Sequence, residues 1–587
     1  MLNIAFYHKQ FVGTGNEMHV ATSALYLKHY IDTHKPEIAA QLHWEIPVQG
    51  SLTDQELIDF CYDNNVDVLC ISLFVWNEIH FEQQMSRVRD QLPDSITVIA
   101  GGPSVSVHSD RAWLSRRPWI DYAVYGAGEQ AFADIIESMV SDKKLIRFNT
   151  SNVAWRDHSR DQVIMADYRI VPEPKTSPYI HCEELLQAMV EQQQVRGITV
   201  IMPWQLTRGC PYSCTFCDWN NGLDKKVSRR KGTFRDEIEL FYQLGIQQIY
   251  ITDANFGQYD EDIEIFEYLA QVNLERNAGF EITATYSKLR KSNVLKLHHV
   301  MGQGKMAHTY VGFVFSVQDL DPQVLINIDR PDVSWQVHKE MIQELQHDYP
   351  EVPCAINMIV GLPGQSFASW QRTLIETMNQ RCVLIVGVNE LLPMSPAALD
   401  PDYATQFKMQ HSTALRWNGH AWQTSAFAQS CYSFTQQEMV AMTVLTAFWQ
   451  ALSRARFDIG VEVDSEHLMQ QVITSEIFKQ LSGDLYDNWT KNNCFYYRID
   501  LTGRPAPEGR LTACFFGHFD LAWSVHPVIL RMLMNSACDL KMHYKKFMTY
   551  MKKHSTSLAD PRPRLENTPR LLALPRPQVT EHYDINN

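Results

Sequence analysis

Several features that mark whole classes of protein are missing from this chain of 587 residues. No run of about 18 or more apolar residues occurs, so neither a membrane span nor a membrane partner is expected. The first residues, Met1-Leu2-Asn3-Ile4-Ala5-Phe6, lack the basic and apolar regions of a signal peptide and predict a first strand instead. Internal repeats are also absent. Together these absences predict a cytoplasmic protein built from ordinary globular domains.

Positive charge is also scarce. Lys and Arg total 52 residues against 67 Asp and Glu, which gives a net charge of −15. A broad basic surface is what nucleic-acid binding requires, so no nucleic-acid partner is expected. Hydrophobic residues make up 45% and charged residues 20% of the chain, as is typical of globular proteins large enough to bury several cores.

Cysteine is present in modest number, with 12 residues, and without an export signal free thiols or metal ligands are expected rather than disulfides. Nine are scattered along the chain. The other three, Cys210, Cys214 and Cys217, lie within eight residues in the pattern Cys-x3-Cys-x2-Cys. This distribution makes the cluster the strongest functional signal in the sequence.

The first 150 residues alternate between strand-like and helix-like stretches, which predicts a doubly wound parallel sheet. Residues 66–74, 96–100 and 121–125 are the clearest strands, and residues 53–65 predict a helix capped by Thr53 or Asp54. Glycine pairs follow two of the strands. Because ligands of such sheets bind at the carboxyl ends of the strands, these pairs indicate a ligand edge, although tight turns alone also explain them.

The rest of the chain divides by composition. Residues 151–195 are polar and predict an irregular linker, after which strands and helices alternate again over 196–410. Six strand-like stretches there suit a partial (βα)6 barrel of the TIM type, with its active face at the carboxyl ends of the strands. Residues 411–555 predict a smaller mixed domain that caps the substrate, with a long helix over 435–456 and strand-like stretches over 488–516. Residues 556–587 are rich in Pro and Arg and predict a disordered tail.

Three thiolates so close together suit a soft metal. A structural zinc site needs four closed ligands, and the nearest other Cys or His residues are Cys182 and His298. Three protein ligands leave one position open, which in a 4Fe-4S cluster takes a small-molecule ligand. A chance trio, or a zinc site completed from a distance, remains the alternative.

The cysteine pattern, placed after the first strand of a partial barrel, resembles the radical S-adenosylmethionine (SAM) superfamily. The resemblance implies that Cys210, Cys214 and Cys217 hold a 4Fe-4S cluster whose open iron binds SAM and whose electron cleaves it to a 5′-deoxyadenosyl radical. It also implies SAM contacts at successive strand ends, although the usual Gly-Gly-Glu is absent after the second strand. The candidate SAM-binding residues are Phe216, Asp253, Asn255, Ser316, Gln318, Gly361 and Pro363.

A parallel α/β domain before such a barrel resembles the cobalamin-binding group of that superfamily. The mutase-type Asp-x-His-x-x-Gly motif is missing, since Asp32-Thr33-His34-Lys35-Pro36-Glu37 ends in Glu and lies at a helix end. A domain that keeps the fold without cobalamin is the alternative. The residues that carry the resemblance at the predicted ligand edge are Ser72, Trp76, Gly101, Gly102, Gly126, Gly128 and Glu129.

Two radical reactions fit these resemblances. With cobalamin, the family precedent is methylation of an unactivated carbon in a peptide or natural product. Without it, hydrogen return from a thiol gives epimerisation, as in polytheonamide-type peptide epimerases, and Cys431 is the candidate hydrogen donor because it follows the barrel. Either reaction implies an external one-electron reductant of the flavodoxin or ferredoxin type. An iron–sulfur or zinc protein without catalysis is the third possibility.

Overall fold

The structure is a computed structural model in which the chain forms two compact units. The first unit comprises residues 1–213, 217–310 and 393–395, and the second comprises 214–216, 311–392 and 396–587. The residues that the structure describes are 1–10, 17–74, 76–93, 95–106, 111–141, 150–157, 162–219, 225–308, 312–417, 422–492, 532–538 and 546. The predicted Pro-rich tail and most of the strand-like stretch over 488–516 lie outside these residues.

The first unit contains fifteen described strands and eleven described α-helices. The strands are β1 (Leu2–His8), β2 (Glu17–His19), β3 (Leu42–Trp44), β4 (Val48–Gln49), β5 (Val68–Ser72), β6 (Thr97–Gly101), β7 (Tyr122–Val124), β8 (Val153–Asp157), β9 (Gln162–Met165), β10 (Thr199–Trp204), β11 (Thr207–Arg208), β12 (Ser228–Arg229), β13 (Gln248–Phe256), β14 (Glu281–Tyr286) and β15 (Ala307–His308). The helices are α1 (Thr22–His34), α2 (Pro36–Ala39), α3 (Asp54–Asp63), α4 (Glu78–Val88), α5 (Arg111–Ser115), α6 (Glu129–Val140), α7 (Pro178–His181), α8 (Glu183–Val195), α9 (Phe234–Gln243), α10 (Glu261–Arg276) and α11 (Lys291–Gln303).

The N-terminal sheet has the strand order β3-β1-β5-β6-β7-β8-β9, with β4 also paired to β1. Strands β1 and β3 to β7 run parallel, and alternate residues of β1 enter two separate cores, Ala5 on one face and Ile4 on the other. A strand buried on both faces is nearly continuously apolar, which is the pattern that predicted it. Thr53 caps α3 in a capping box with Glu56, as the sequence indicates. The predicted α/β fold with a parallel sheet is therefore confirmed.

The segment 151–195 differs from its prediction as an irregular connection. Strands β8 and β9 extend the N-terminal sheet in antiparallel fashion, and helices α7 and α8 follow them. The two strands are only five and four residues long, and the four residues between them, 158–161, are all polar. The polar surroundings therefore concealed regular structure in this segment.

A second sheet of the first unit has the order β15-β14-β13-β10-β2 and is parallel throughout. Strand β2, from the N-terminal region, pairs alongside β10, which the sequence did not predict. Strands β10, β13 and β14 correspond to the first three strands predicted over 196–410. The short antiparallel pair of β11 and β12 follows β10 and encloses the cysteine loop.

The second unit contains the remaining predicted strands. Its described strands and helices are β16 (Phe313–Gln318), α12 (Pro322–Asn327), α13 (Trp335–Asp348), β17 (Cys354–Val360), α14 (Phe367–Asn379), β18 (Val383–Val388), α15 (Pro396–Leu399), α16 (Pro401–Phe407), β19 (Gln410–Trp417), β20 (Trp422–Ser430), α17 (Gln436–Ile459), α18 (Ser465–Thr474) and α19 (Glu476–Asn492). β16, β17 and β18 form a parallel sheet, and β19 and β20 an antiparallel hairpin.

The predicted long helix is α17, which begins with a capping box between Thr435 and Glu438 and ends at Gly460 in the left-handed conformation. Most of its residues are buried, which explains why its apolar character extends around the helix rather than along one stripe. Among the helices that the structure describes, none combines the length and apolar character that crossing a bilayer needs.

Candidate functional site

The cysteine loop begins directly after β11. Gly209, which precedes Cys210, has φ +95, and a Cβ there would lie 2.3 Å from the carbonyl oxygen of Lys226. Only glycine fits at this position, because the backbone at Gly209 passes so close to the backbone at Lys226. Cys210 and Cys214 are buried and Cys217 is half-buried, so the loop presents its thiols from a shielded environment.

The carboxyl end of β13 holds the start of this loop. Asp253 accepts hydrogen bonds from the backbone N–H groups of Leu206 and Thr207, both at 2.8 Å, and is only 2% exposed. Burial raises the pKa of Asp253 to about 7, against the opposing effect of these two bonds and of Arg229. Asp253 thus positions the backbone that leads into the cysteines.

Asn255, two residues further along β13, contacts a cysteine directly. Its side-chain amide nitrogen lies 3.1 Å from the sulfur of Cys210, in hydrogen-bonding geometry. The pairing of β13 with β14 shifts register between Ile251 and Phe256, and such a bulge re-aims the side chains of the strand that carries it. Of the two residues predicted to contact SAM after this strand, Asp253 thus bonds to the backbone just before the cysteine loop and Asn255 to Cys210 within it.

A buried ionic network also ties this loop to the N-terminal sheet. Arg208, immediately before Gly209, donates to Glu129 at 2.7 Å and lies 3.3 Å from Glu173. Glu173 also accepts from Tyr26 at 2.8 Å and pairs with the buried Arg230. Burial raises the pKa of Glu173 despite its two arginines. Nothing in the local sequence indicated this network, because its members are far apart along the chain.

Glu129 is one of the residues predicted at the cobalamin edge. It is the first residue of α6 and is 6% exposed, and one carboxylate oxygen bonds to Arg208. Among the described residues, no group hydrogen-bonds to its other oxygen, Oε2. Gly126 and Gly128 lie in the turn between β7 and α6. This turn and the Glu129 carboxylate together form one end of the predicted ligand edge.

The other end of that edge lies after β5 and β6. Ser72 pairs with Gly101, and Gly102 has φ +102, where a Cβ would lie 2.5 Å from the oxygen of Leu73. Gly102 is therefore needed for a close backbone contact, whether or not a ligand binds nearby. Trp76 is 44% exposed and stacks on Phe74 with ring centroids 4.4 Å apart.

Two residues that sequence reasoning did not weigh shape this end of the sheet. Asn77 is fully buried, and its amide donates to the carbonyl oxygens of Ser72 and Lys9, which joins the loops after β5 and β1. His8 ends β1, and burial lowers its pKa to about 4. Among the described residues, no group hydrogen-bonds to its Nδ1. Their position is the point where the strand order of the sheet reverses, which is where ligands of such sheets bind.

In the second unit, the end of β16 carries Ser316 and Gln318. The pairing with β17 shifts register between these two residues, and Gln318 has φ +76, which is strained for a residue other than glycine. Asn357, directly opposite Ser316 in β17, has its amide nitrogen 3.5 Å from the Ser316 hydroxyl. Its amide oxygen is buried and, among the described residues, receives no hydrogen bond. Asn357 was not predicted, because a single Asn inside a strand carries no pattern of its own.

The loop Gly361-Leu362-Pro363-Gly364 follows β17 and is held by a buried pair. Gln365 accepts from the N–H groups of Gly361 and Leu362, at 2.7 and 2.9 Å, and donates to Asp319 at 2.5 Å. Burial raises the pKa of Asp319 to about 6. Pro363 is buried, and its carbonyl accepts from Asn327.

Cys431 lies between β20 and α17 and is half-buried. Its sulfur is 3.0 Å from the hydroxyl of Ser433, which accepts a hydrogen bond from the N–H of Gly364. Within the same unit, Thr215 of the cysteine loop hydrogen-bonds to Tyr403 at 3.1 Å, and its neighbour Phe216 is half-buried. The structure thus places Cys431 beside the Gly361–Gly364 loop, linked to it through Ser433.

Comparisons with known proteins agree with these features. Residues 204–375 match the model of the Radical SAM superfamily. The chain is 27% identical over 397 residues to the cobalamin-dependent radical SAM methyltransferase TokK of Streptomyces tokunonensis, covering 66% of this chain and 55% of that protein. It is 27% identical over 381 residues to the 2-(S-pantetheinyl)-carbapenam-3-carboxylate methyltransferase of Streptantibioticus cattleyicolor, covering 62% and 52%. The alignments thus span about half the length of these relatives.

Among solved structures, the radical SAM methyltransferase TsrM of Kitasatospora setae, with cobalamin and an iron–sulfur cluster bound, has a TM-score of 0.55. The identity is 10%, over 82% of this chain and all of that chain, so this likeness concerns the fold. The family match identifies residues 204–375 as a radical SAM domain, and relatives with 27% identity are cobalamin-dependent or carbapenam methyltransferases.

Proposed function

We propose that the chain is a radical SAM enzyme that methylates a carbon of its substrate with the help of bound cobalamin. The observation that carries the proposal is the three-cysteine loop, held in place by β13, within the segment that matches the superfamily. The curated relatives are methyltransferases, which favours methylation over the alternative of epimerisation.

The donor chemistry of the loop fits a 4Fe-4S cluster. Cys210, Cys214 and Cys217 offer three soft thiolates from a shielded loop, and Asn255 donates a further hydrogen bond to one of them. Asp253 and Gly209 fix the backbone from which these ligands project. When bound, such a cluster leaves one iron open for SAM and supplies the electron that cleaves it.

We assign SAM binding to Phe216 and to the strand ends of the second unit. Ser316, Gln318 and Asn357 offer hydroxyl and amide groups at one edge of the parallel sheet, where strand ends bind ligands. The buried amide oxygen of Asn357 has the capacity to accept a hydrogen bond from the SAM amino group or ribose. Gln365 shapes the Gly361–Pro363 backbone so that it approaches the adenosine part of SAM closely.

Cobalamin is assigned to the N-terminal sheet, at the carboxyl ends of β1, β5, β6 and β7. The exposed Phe74–Trp76 stack supplies an apolar surface for a corrin ring, and the unbonded oxygen of Glu129 an acceptor for amide side chains. Asp32 and His34 of the mutase-like sequence lie on α1 rather than after a strand. When bound, cobalamin would supply the methyl group.

We keep the predicted division in which 1–150 binds cobalamin, with β8 and β9 added to its sheet, 196–410 forms a partial (βα)6 barrel, and 411–555 caps the substrate. The substrate is a peptide or a natural-product intermediate, and the electron comes from a flavodoxin- or ferredoxin-type reductant. Cys431 lies beside the Gly361–Gly364 loop through Ser433, and it is the thiol we would test for contact with the substrate radical.

The test is anaerobic reconstitution of protein purified from cobalamin-fed cells. We expect about four irons per chain, corrinoid absorption bands, and formation of 5′-deoxyadenosine when SAM and dithionite are added. Cys214→Ala should abolish all SAM cleavage, whereas Cys382→Ala, a buried thiol outside the loop, should preserve it. Wild-type protein that binds iron but never yields 5′-deoxyadenosine would refute the proposal, and protein without corrinoid that inverts its substrate would favour the epimerase.

A further inference from the structure

We propose that Asn255 tunes the reduction potential of the cluster by donating a hydrogen bond to the sulfur of Cys210, rather than binding the amino group of SAM. This proposal rests on the proposed function, since it requires an iron–sulfur cluster on the three cysteines. The Cys210 sulfur in the structure stands in for the thiolate that would bind iron.

The polarity of this contact follows from the chemistry of the two groups. A thiolate sulfur accepts hydrogen bonds and cannot donate them, so only the NH₂ end of the Asn255 amide is able to face it. The amide nitrogen lies 3.1 Å from the sulfur, a short distance for a bond to a large acceptor. Cys210 is 9% exposed, so solvent does not screen the interaction strongly.

The strand that carries Asn255 is built to hold it there. Asp253 and Asn255 are two residues apart on β13, and the register shift at this point turns the end of the strand. Asp253 bonds to the backbone at 206–207, and beyond Asn255 the N–H of Gly257 donates to Asp262 at 2.8 Å. Hydrogen bonds thus anchor the chain on both sides of Asn255, which limits the positions that its amide can reach.

A hydrogen bond to a cluster thiolate stabilises the more negative, reduced state of the cluster more than its oxidised state. It therefore raises the reduction potential. Removing the donor should make the cluster harder to reduce. An Asn255→Asp change should have a larger effect, because it removes the donor and adds a negative charge beside the thiolate.

The experiment is a redox titration of the reconstituted enzyme, followed by electron paramagnetic resonance without SAM. Asn255→Ala should move the midpoint potential to more negative values, Asn255→Asp should move it further, and the dissociation constant for SAM of Asn255→Ala should be unchanged. Gln258→Ala is the matched control, since this amide lies three residues further along the chain and bonds to Ser287. This variant should leave the potential unchanged.

Unchanged potentials in both Asn255 variants, or a loss of SAM affinity with an unchanged potential, would overturn the proposal. If the variants fail to assemble a cluster, the wild-type enzyme still decides the question. Labelling the Asn amide nitrogen with ¹⁵N should then reveal a hyperfine coupling to the reduced cluster, and its absence would equally refute the hydrogen bond. A wild-type chain that assembles no 4Fe-4S cluster would instead refute the proposed function itself.

Discussion

The ends of β13 and β16 use the same local device for different purposes. Each strand loses its regular pairing register near its carboxyl end, and each places polar side chains there. At β13, Asp253 bonds to the backbone just before the cysteine loop, and Asn255 bonds to Cys210 within it. At β16, Gln318 is strained, and the facing Asn357 has a buried amide oxygen without a hydrogen bond among the described residues. Satisfied polar groups at β13 fit a structural role, whereas strain and an unsatisfied acceptor are the features on which the proposal of SAM binding at β16 rests.

Each of the two strand ends also has its own buried carboxylate. Asp253 organises the backbone before the cysteines, and Asp319 organises the Gly361–Gly364 loop through Gln365. Burial raises the pKa of both groups, to about 7 and about 6. In each case a buried carboxylate orders a nearby segment of backbone, directly at 206–207 and through Gln365 at Gly361–Gly364.

The largest effect is expected for Gly209→Ala, which tests the structural role that we assign to the region around β13. The added Cβ would lie 2.3 Å from the Lys226 oxygen, so the loop that β13 supports would have to move with Cys210. We expect iron bound after reconstitution to fall at least about tenfold, the equivalent of about 1.4 kcal/mol. Gly232→Ala is the control, since its φ is +74 but nothing lies within 4 Å of the new Cβ. Equal iron in the two variants would show that the close approach is unimportant.

At β16 we expect a smaller effect, which changes SAM binding and leaves iron binding as it is. Asn357→Ala should weaken SAM binding about tenfold, the cost of about one good hydrogen bond, while iron content and midpoint potential stay unchanged. Equilibrium binding of SAM to the reconstituted enzyme measures the first, and iron analysis the second. Gln343→Ala, on the exposed surface of α13, should change neither. SAM affinity that responds to Asn255→Ala but not to Asn357→Ala would reverse the roles that we assign to the two strand ends.

The last expected effect is on stability as a function of pH rather than on cofactor binding. The folded chain retains the Asp253 proton up to about pH 7, whereas the unfolded chain releases it near pH 3.8, the ordinary value for an aspartate. The free energy of unfolding of the wild type should therefore fall, relative to Asp253→Asn, as pH rises from about 4 to about 7, and then level off. For Asp319→Asn the same comparison should level off near pH 6. Urea unfolding at a series of pH values tests both, and parallel curves for wild type and variant would contradict the raised pKa values.

Much of the fold was predictable because it depends on patterns that are local in sequence. Near-continuous apolar runs predicted the buried strands β1, β5 and β6, and the long helix predicted over 435–456 corresponds to α17. Strands β8 and β9 were missed because they are short and lie within a stretch that is polar as a whole. The pairing of β2 with β10 was missed because strand partners that are far apart in sequence leave no local signal.

The candidate site divides in the same way. Spacing alone singled out Cys210, Cys214 and Cys217, since three thiols within eight residues predict one shared metal site. The sequence also placed Asp253 and Asn255 at a strand end, but not the partners to which their side chains bond. Glu129 was predicted at a ligand edge, yet its bond to Arg208 was not, because the two residues are 79 positions apart in the sequence.

By itself, the sequence determined the position of the three-cysteine cluster and of most strands and helices, because cysteine spacing and apolar periodicity are properties of neighbouring residues. Only the tertiary structure decided which polar side chains find hydrogen-bond partners within the chain. That distinction depends on hydrogen-bond partners distant in sequence and on burial, which determines the cost of leaving a group without a partner. Asn255 bonds to Cys210, whereas the buried amide oxygen of Asn357 receives no hydrogen bond among the described residues.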